Sequence, residues 1–172
     1  MNYTRNFSKK LNLFSKLLKD NKIGVINKIQ IFYCKGLYNS CSHYINFLNN
    51  FFKFKKIRNI EVKNYIKKNN DFYANFSVQF KIQVDFILNK KKENEKINII
   101  GSKGYIQYLT EKHKVFFFHK RSKKTINNDF KNDQKNMIDF VKKNFYLRTK
   151  CYKIFKQNIL TLQIINQICQ KF

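Results

Sequence analysis

Between Phe72 and Leu88 every even position carries an apolar side chain: Phe72, Ala74, Phe76, Val78, Phe80, Ile82, Val84, Phe86 and Leu88. A period of two sets all of them on one side of a pleated backbone, so this segment is β structure with one buried face, and Asp85 points to the other. Drawn out straight it would reach on the order of 55 Å, longer than most strands. A bend, a bulge or a loosely turned hairpin is therefore expected within it.

The flanking sequence alternates between helix and strand. Phe7, Leu11, Phe14 and Leu18 recur at helical spacing within about residues 4 to 21, as a core-facing stripe would. Residues 28–33 (KIQIFY) read as a short strand and 34–36 (CKG) as a turn. Ser40 is a good helix-capping residue, and the helix it opens sets Tyr44, Ile45, Leu48, Phe51 and Phe52 on one face before it meets Lys53, Lys55, Lys56 and Arg58. The run KKKENEK over 90–96 reads as a solvated loop. Residues 97–109 read as a strand, a GSKG turn and a second strand, and 113–119 as one more. Residues 120–136 are polar and read as an exposed insertion, 137–144 as helix, 145–152 as extended chain, and the remainder as a segment closing the core. This order is α+β. It is expected to form two small α/β lobes with short mixed or antiparallel sheets, one over residues 1–70 and a β-rich one over 71–172.

The chain carries 36 Lys and Arg against 10 Asp and Glu, a formal charge of +26 over 172 residues, while 43% of it is hydrophobic. That apolar share supports a packed core, and the charge asks for a polyanion. An AT-rich coding sequence enriches Lys through AAA, but GAT and GAA are as AT-rich, so the acid deficit is selected. The expected partner is RNA. Such a codon bias points to an organelle or a reduced symbiont genome, and the 19 Phe read as core filler.

Catalytic chemistry looks sparse. Glu61, Glu93, Glu95 and Glu111 are scattered, and the three histidines have no acid at motif spacing. GSKG lacks the length of a phosphate loop and the helix that follows one, although its amides and Lys103 could grip one phosphate. Cys34, Cys41, Cys151 and Cys169 form no C-x-x-C pair and read as reduced thiols, with no metal site. No uncharged apolar run approaches the roughly 20 residues of a membrane span, so no integral membrane segment is expected.

In this element order the chain resembles the small-subunit ribosomal protein eight family of bacterial type, as found in divergent mitochondrial ribosomes. Ser40 to Val62 lies on that family's second helix and following strand. GSKGYIQYL resembles its glycine turn and strand, LRTKCY its serine-threonine loop, and INQIC its closing strand, with Cys169 on the cysteine. The resemblance implies a structural constituent of a mitochondrial small ribosomal subunit in the matrix. Its partners would be central-domain rRNA and neighbouring ribosomal proteins, with no catalysis, no cofactor and no small-molecule substrate. The RNA-binding residues would be Lys35, Ser40, Lys55, Lys56, Arg58, Ser102, Lys103, Gly104, Arg148, Thr149, Lys150 and Lys153. A large-subunit protein of the protein-six type and a basic accessory subunit of an organelle membrane complex are the alternatives.

Overall fold

The structure is a computed structural model. It describes residues 16–18, 20–52, 57–89, 91, 94–110, 112, 114–119, 122–126, 133–144 and 148–171. Eight strands form one sheet in the order β2-β3-β4-β1-β5-β6-β7-β8. They are β1 (Ile26–Tyr33), β2 (Asn59–Lys68), β3 (Asp71–Gln79), β4 (Gln83–Leu88), β5 (Lys96–Gly101), β6 (Gly104–Leu109), β7 (Lys114–His119) and β8 (Ser122–Ile126). A π-helical turn, Leu37–Cys41, leads into α1 (Ser42–Phe52), and α2 (Asp133–Asn144) and α3 (Arg148–Cys169) follow the sheet. The α+β class holds. The β1–β4 pair is parallel and the other six are antiparallel. β1, from the first of the expected lobes, is hydrogen-bonded between β4 and β5 of the second.

The long alternating segment resolves as expected into a hairpin, β3 and β4, joined by a turn at residues 80–82. Its even positions face the core throughout. Val78, Val84, Ile29, Ile99 and Ile106 line up across five strands, and Phe76, Phe86, Ile31, Ile97, Tyr108 and Val115 form the next row. Tyr44, Ile45, Phe47 and Leu48 of α1 and Ile164, Ile165 and Ile168 of α3 cover these rows in one apolar cluster. Asn46 stitches the two helices together, donating to Asn158 Oδ1 and Thr161 Oγ1, each at 3.0 Å.

The other face of the sheet is built differently. Glu61, Ser77, Asp85, Gln30, Asn98, Gln107, Phe116 and Thr125 form a continuous row across all eight strands. Around it stand half-buried Phe32, Ile87, Ile100, Tyr105, Leu109 and Phe118, none of which joins the core cluster. The opening alternation thus marks a core side, with helices on it, and an open side.

Asp85 anchors the open side: its carboxylate pairs with Lys28 Nζ at 2.6 Å and accepts from Ser77 Oγ at 2.9 Å and Gln83 Nε2 at 2.8 Å. Burial pushes the carboxyl up, but the Lys28 ammonium and the Gln83 and Ser77 donors outweigh it and hold it below the usual carboxylate range. A folded-state value lower than the unfolded one, about 3.9, stabilises fully above that pH and is lost as pH falls through the folded value. Urea unfolding at stepped pH should show stability declining below pH about 4. In Asp85→Asn that decline is expected to be shallower, and superimposable slopes would mean that the carboxyl titrates as if unpaired.

Two expectations for the C-terminal third are corrected. The exposed insertion at 120–136 contains strand β8, which pairs with β7 from His119↔Ser122 to Val115↔Ile126. Its sequence, SKKTI, hides the strand because its residues 122–125 are exposed and so carry no apolar alternation. Residues 148–152 are helical rather than extended. They belong to a 22-residue helix whose Thr161, Ile164, Ile165 and Ile168 recur at helical spacing and are buried, so packing of the distal half supports the helix that leads to it. The expected first helix is described only at 16–18 and around Asp20; residues 4–15 lie outside the described residues.

Candidate active site

In sheets with parallel strands, ligands gather beyond the strands' carboxyl ends. Here that place lies past Tyr33 and Leu88, where the Asn89 amide donates to the Tyr33 carbonyl at 2.7 Å. The Tyr33 phenol closes the adjacent gap. β3 runs on beyond its pairing with β4, which ends at Phe76↔Phe86, and the phenol both donates to the Ala74 carbonyl and accepts from its N–H at 3.2 Å. Burial raises this phenol far above its ordinary value, so it stays neutral and can serve both groups.

From Tyr33 the chain enters a tight connection. Gly36 admits no side chain, because a Cβ there would lie 2.1 Å from the Asp71 carboxyl. That carboxyl accepts from the Tyr38 and Phe72 amides at 2.9 and 2.8 Å and so fixes the start of the π-helical turn. The Tyr38 hydroxyl lies 3.2 Å from Cys169 Sγ; this hydrogen bond, then partial burial, pushes Tyr38 up to about 12. A single π turn at the head of a helix is uncommon and often marks a functional position.

Glu95 holds this turn from behind. It is 2% exposed, and its Oε1 accepts from the Cys34 amide at 3.1 Å, the Cys34 thiol at 3.2 Å and the Ser40 hydroxyl at 2.8 Å, while Oε2 accepts from the Tyr44 hydroxyl at 3.0 Å. One carboxyl thereby ties together the end of β1, the π-helical turn, α1 and the start of β5. Its backbone carbonyl accepts from Thr110 N and Oγ1, tying in β6. From Ser40 to Asn49 every residue is buried except His43, which is half-buried with its Nδ1 turned inside. An imidazole at the first turn of α1, gripped on either side by the Glu95 bonds of Ser40 and Tyr44, has the chemistry to accept or donate a proton.

Neither Glu95 nor His43 was singled out from sequence. Glu95 sits in the charged run KKKENEK, and the one available sign is that the apolar residues of β5 begin two positions later, at Ile97. His43 has no acid at motif spacing, and the carboxyl that holds its neighbours Ser40 and Tyr44 lies 52 positions away in sequence.

The residues expected to bind RNA do not converge. Ser40 is buried on Glu95. Lys35 is exposed in the turn beside it, at the carboxyl end of β1. Arg58 and the GSKG turn lie at the opposite end of the sheet. Arg58 N donates to the Gln79 carbonyl, and the Ser102 and Lys103 amides are spent on the Val25 and Ile23 carbonyls at 2.9 Å each, with Gly104 opening β6. Those two amides are therefore closed to a phosphate. Arg148, Thr149, Lys150 and Lys153 fall within α3, and Lys55 and Lys56 lie outside the described residues. No helix among the described residues is long and apolar enough to cross a membrane.

Neither a family model nor a curated protein sequence matches the chain. Solved structures do. The fold is that of a super-repressor mutant of Gal80p from Saccharomyces cerevisiae, with a TM-score of 0.75 and 14% identity over 98% of this chain and 61% of that one. It is equally that of KijD10, a 3-ketoreductase from Actinomadura kijaniata in complex with TDP-benzene and NADP, with a TM-score of 0.79 and 8% identity over 98% of this chain and 59% of that one. The UDP-N-acetylglucosamine 3-dehydrogenase GnnA from Acidithiobacillus ferrooxidans follows, with a TM-score of 0.68 and 7% identity over 92% and 58%. The chain spans about 60% of the length of these neighbours.

This likeness overturns the resemblance to the small-subunit ribosomal protein eight family, and with it the structural ribosomal role, its alternatives and the rRNA partner. The segments that carried the resemblance agree: residues 148–152 of LRTKCY, matched to a loop, and INQIC, matched to a strand, are both parts of α3. The expectations of no catalysis and no small-molecule substrate are corrected on the same ground, since two of the three neighbours are named as enzymes acting on small molecules. The fold to which this chain is similar is that of the Gal80p and sugar-oxidoreductase structures.

Proposed function

We propose that the chain is the sheet-bearing, substrate-side region of a dehydrogenase-type protein, in which His43 exchanges a proton with a hydroxyl or carbonyl of a polyhydroxylated substrate. The observation that carries the reading is His43, a half-buried imidazole in an otherwise buried ten-residue run, at a π-to-α junction beyond the parallel strand pair. The fold neighbours named as a 3-ketoreductase and a 3-dehydrogenase supply the reaction class. Interconverting a secondary alcohol and a ketone requires a group that takes the hydroxyl proton in one direction and returns it in the other.

The described residues do not fit a nicotinamide dinucleotide. A dinucleotide grip places glycines between a parallel strand and a helix so that amides face the pyrophosphate. The one glycine in that position is Gly36, and the Asp71 carboxyl stands against it, a charge that repels phosphate. No hydride step is therefore assigned to these residues. Their part is to hold the substrate and move its proton.

The test is histidine-detected NMR of the full chain during titration with myo-inositol, UDP-N-acetylglucosamine and TDP-glucose to millimolar concentration. The His43 signal is assigned by its loss in His43→Gln. Its shift by one of these ligands, with His119 unmoved, is expected. If every ligand leaves His43 unmoved, or if the shifts map to the sheet's far end, the reading fails.

A further inference from the structure

The β2–β3 hairpin outruns the rest of the sheet. Pairing of β3 with β4 ends at Phe76↔Phe86, whereas β2 and β3 stay paired for five more steps, from Asn64↔Asn75 to Lys68↔Asp71. At about 3.4 Å per residue this arm reaches roughly 17 Å beyond the Phe76 pair, past the carboxyl ends of β1 and β4. The register of β2 shifts between Val62 and Asn64, which inserts one extra residue into the strand. Without that bulge Glu61, Lys63, Tyr65 and Lys67 would all face the open side. With it, Tyr65 and Lys67 stand opposite Ala74 and Phe72, on the side where the π-helical turn lies. Bulges re-aim side chains in this way, and they gather beside active sites. The Asn75 amide, donating to Asn64 Oδ1 at 2.6 Å, fixes the shifted register.

The result is a recess of three rings. The Phe72 centroid lies 6.5 Å from that of Tyr65 and 6.3 Å from that of Tyr38, with the planes tilted at 55° and 54°, and Lys67 Nζ stands 5.6 Å from the Phe72 centroid. Phe72 is half-buried, but Tyr65 is 46% and Tyr38 39% exposed. Tyr38 also belongs to the candidate site, because its carbonyl accepts from Ser42 Oγ at 2.7 Å, the residue before His43. We infer that this recess is a subsite for a sugar ring that carries an anionic group, a carboxylate or a phosphate, with the ring stacked on Tyr65 and Tyr38 and the anion paired with Lys67. The inference rests on the proposed reading and deepens it, since it names the substrate class for the end of the sheet where His43 stands. Two arguments select this occupant. A pyranose chair presents a flat face of slightly positive C–H hydrogens, which settles on the negative face of an aromatic ring while the hydroxyls stay in water. Half-exposed tyrosines suit such a half-apolar ligand. The local charge then favours an anion: Lys35, Lys67 and Lys68 are exposed here, against the Asp71 carboxyl, which two backbone amides hold. A neutral sugar would use the rings alone, and inorganic phosphate the lysine alone.

The experiment is NMR of the full chain, ¹³C-labelled in its tyrosine rings and titrated to millimolar concentration with glucuronate, glucose 6-phosphate, glucose and inorganic phosphate. The Tyr38 and Tyr65 signals are assigned by their loss in Tyr38→Phe and Tyr65→Phe. Glucuronate or glucose 6-phosphate is expected to shift both signals at a concentration roughly tenfold below that needed for glucose, the scale of one charge-assisted hydrogen bond, and the tighter of the two names the anion. In Lys67→Gln, with far-UV circular dichroism retained, that advantage should vanish while glucose binds as before. Tyrosines unmoved by every sugar, or moved by glucose as readily as by the anionic sugars, overturn the inference. So does a response to inorganic phosphate equal to that to glucose 6-phosphate, or shifts that follow protein concentration without ligand. Histidine signals from the same titrations separate this inference from the reading it rests on. Tyrosine shifts with His43 unmoved mean that the subsite stands and the proton exchange does not; a His43 shift with both tyrosines unmoved means the reverse. The ligands are compared on the unsubstituted chain, so a Lys67 variant that fails to fold leaves that comparison intact.

Discussion

Replacing Glu95 by alanine should lower the midpoint of thermal unfolding by on the order of 10 °C, a large loss for one residue in a loop rich in lysine. The side chain is 2% exposed and accepts four hydrogen bonds from three residues. Removing it takes an acceptor from a backbone amide, a thiol and two hydroxyls at once. Stranding a buried polar group costs about 1–3 kcal/mol, and bonds that share one acceptor do not add in full, so about 4 kcal/mol is expected. For a chain of this length each kcal/mol moves the midpoint by about 2–4 °C. Glu95→Gln keeps an oxygen and the shape of the side chain and should lose less than half as much. Circular dichroism melts of the three proteins decide it. If alanine and glutamine were equal, the four bonds would not be what holds the junction, and if both shifts were below about 3 °C, β1, the π-helical turn and α1 would be held together by packing alone.

Why Glu95 was invisible in sequence while Phe86 was plain follows from how each is specified. Phe86 is one member of a period-two pattern, and such a pattern survives any choice of neighbouring strand, so Phe72 to Leu88 announced a core face before any topology was known. Pairing order is another matter. Nothing local says that β1 should run parallel to β4 and antiparallel to β5, and the two expected lobes were drawn without that information. The β2–β3 turn did carry a local sign that was passed over: Asn69 and Asn70 both adopt positive φ, 50° and 57°, which two-residue hairpins favour in asparagine. β8 carried none, since an edge strand with exposed side chains has no apolar face to repeat. At the site, Ser40 was expected to cap a helix, but it lies inside the π-helical turn, and its hydroxyl is turned inward to Glu95 rather than to the helix backbone or outward to a ligand. The charge excess misled most. Among the described residues, Lys35 and Lys103 stand at opposite ends of the sheet and both raise the net charge, and composition cannot say where each lysine stands.

Phe86→Ala and Phe116→Ala together test whether the two faces of the sheet differ as described. Phe86 is 2% exposed and stacks on Phe76 with centroids 4.5 Å apart and planes 8° from parallel, and it shares a seam with Ile45, Leu48 and Ile164 from the covering helices. Truncation there removes the ring's burial and leaves a void that Phe76, held by the same rows, fills poorly, so about 3–5 kcal/mol should be lost. Urea unfolding should register this at any protein concentration, since the contact lies within one chain. Phe116 lies four strands away in the sheet order and on the opposite side, beneath Lys123 rather than beneath a helix. Its truncation should cost about 1 kcal/mol or less, the scale of a partly solvated cross-strand contact. A Phe116 loss as large as that of Phe86 would mean that the chain covers this face itself, and the sheet would then have two cores rather than one core and one open side.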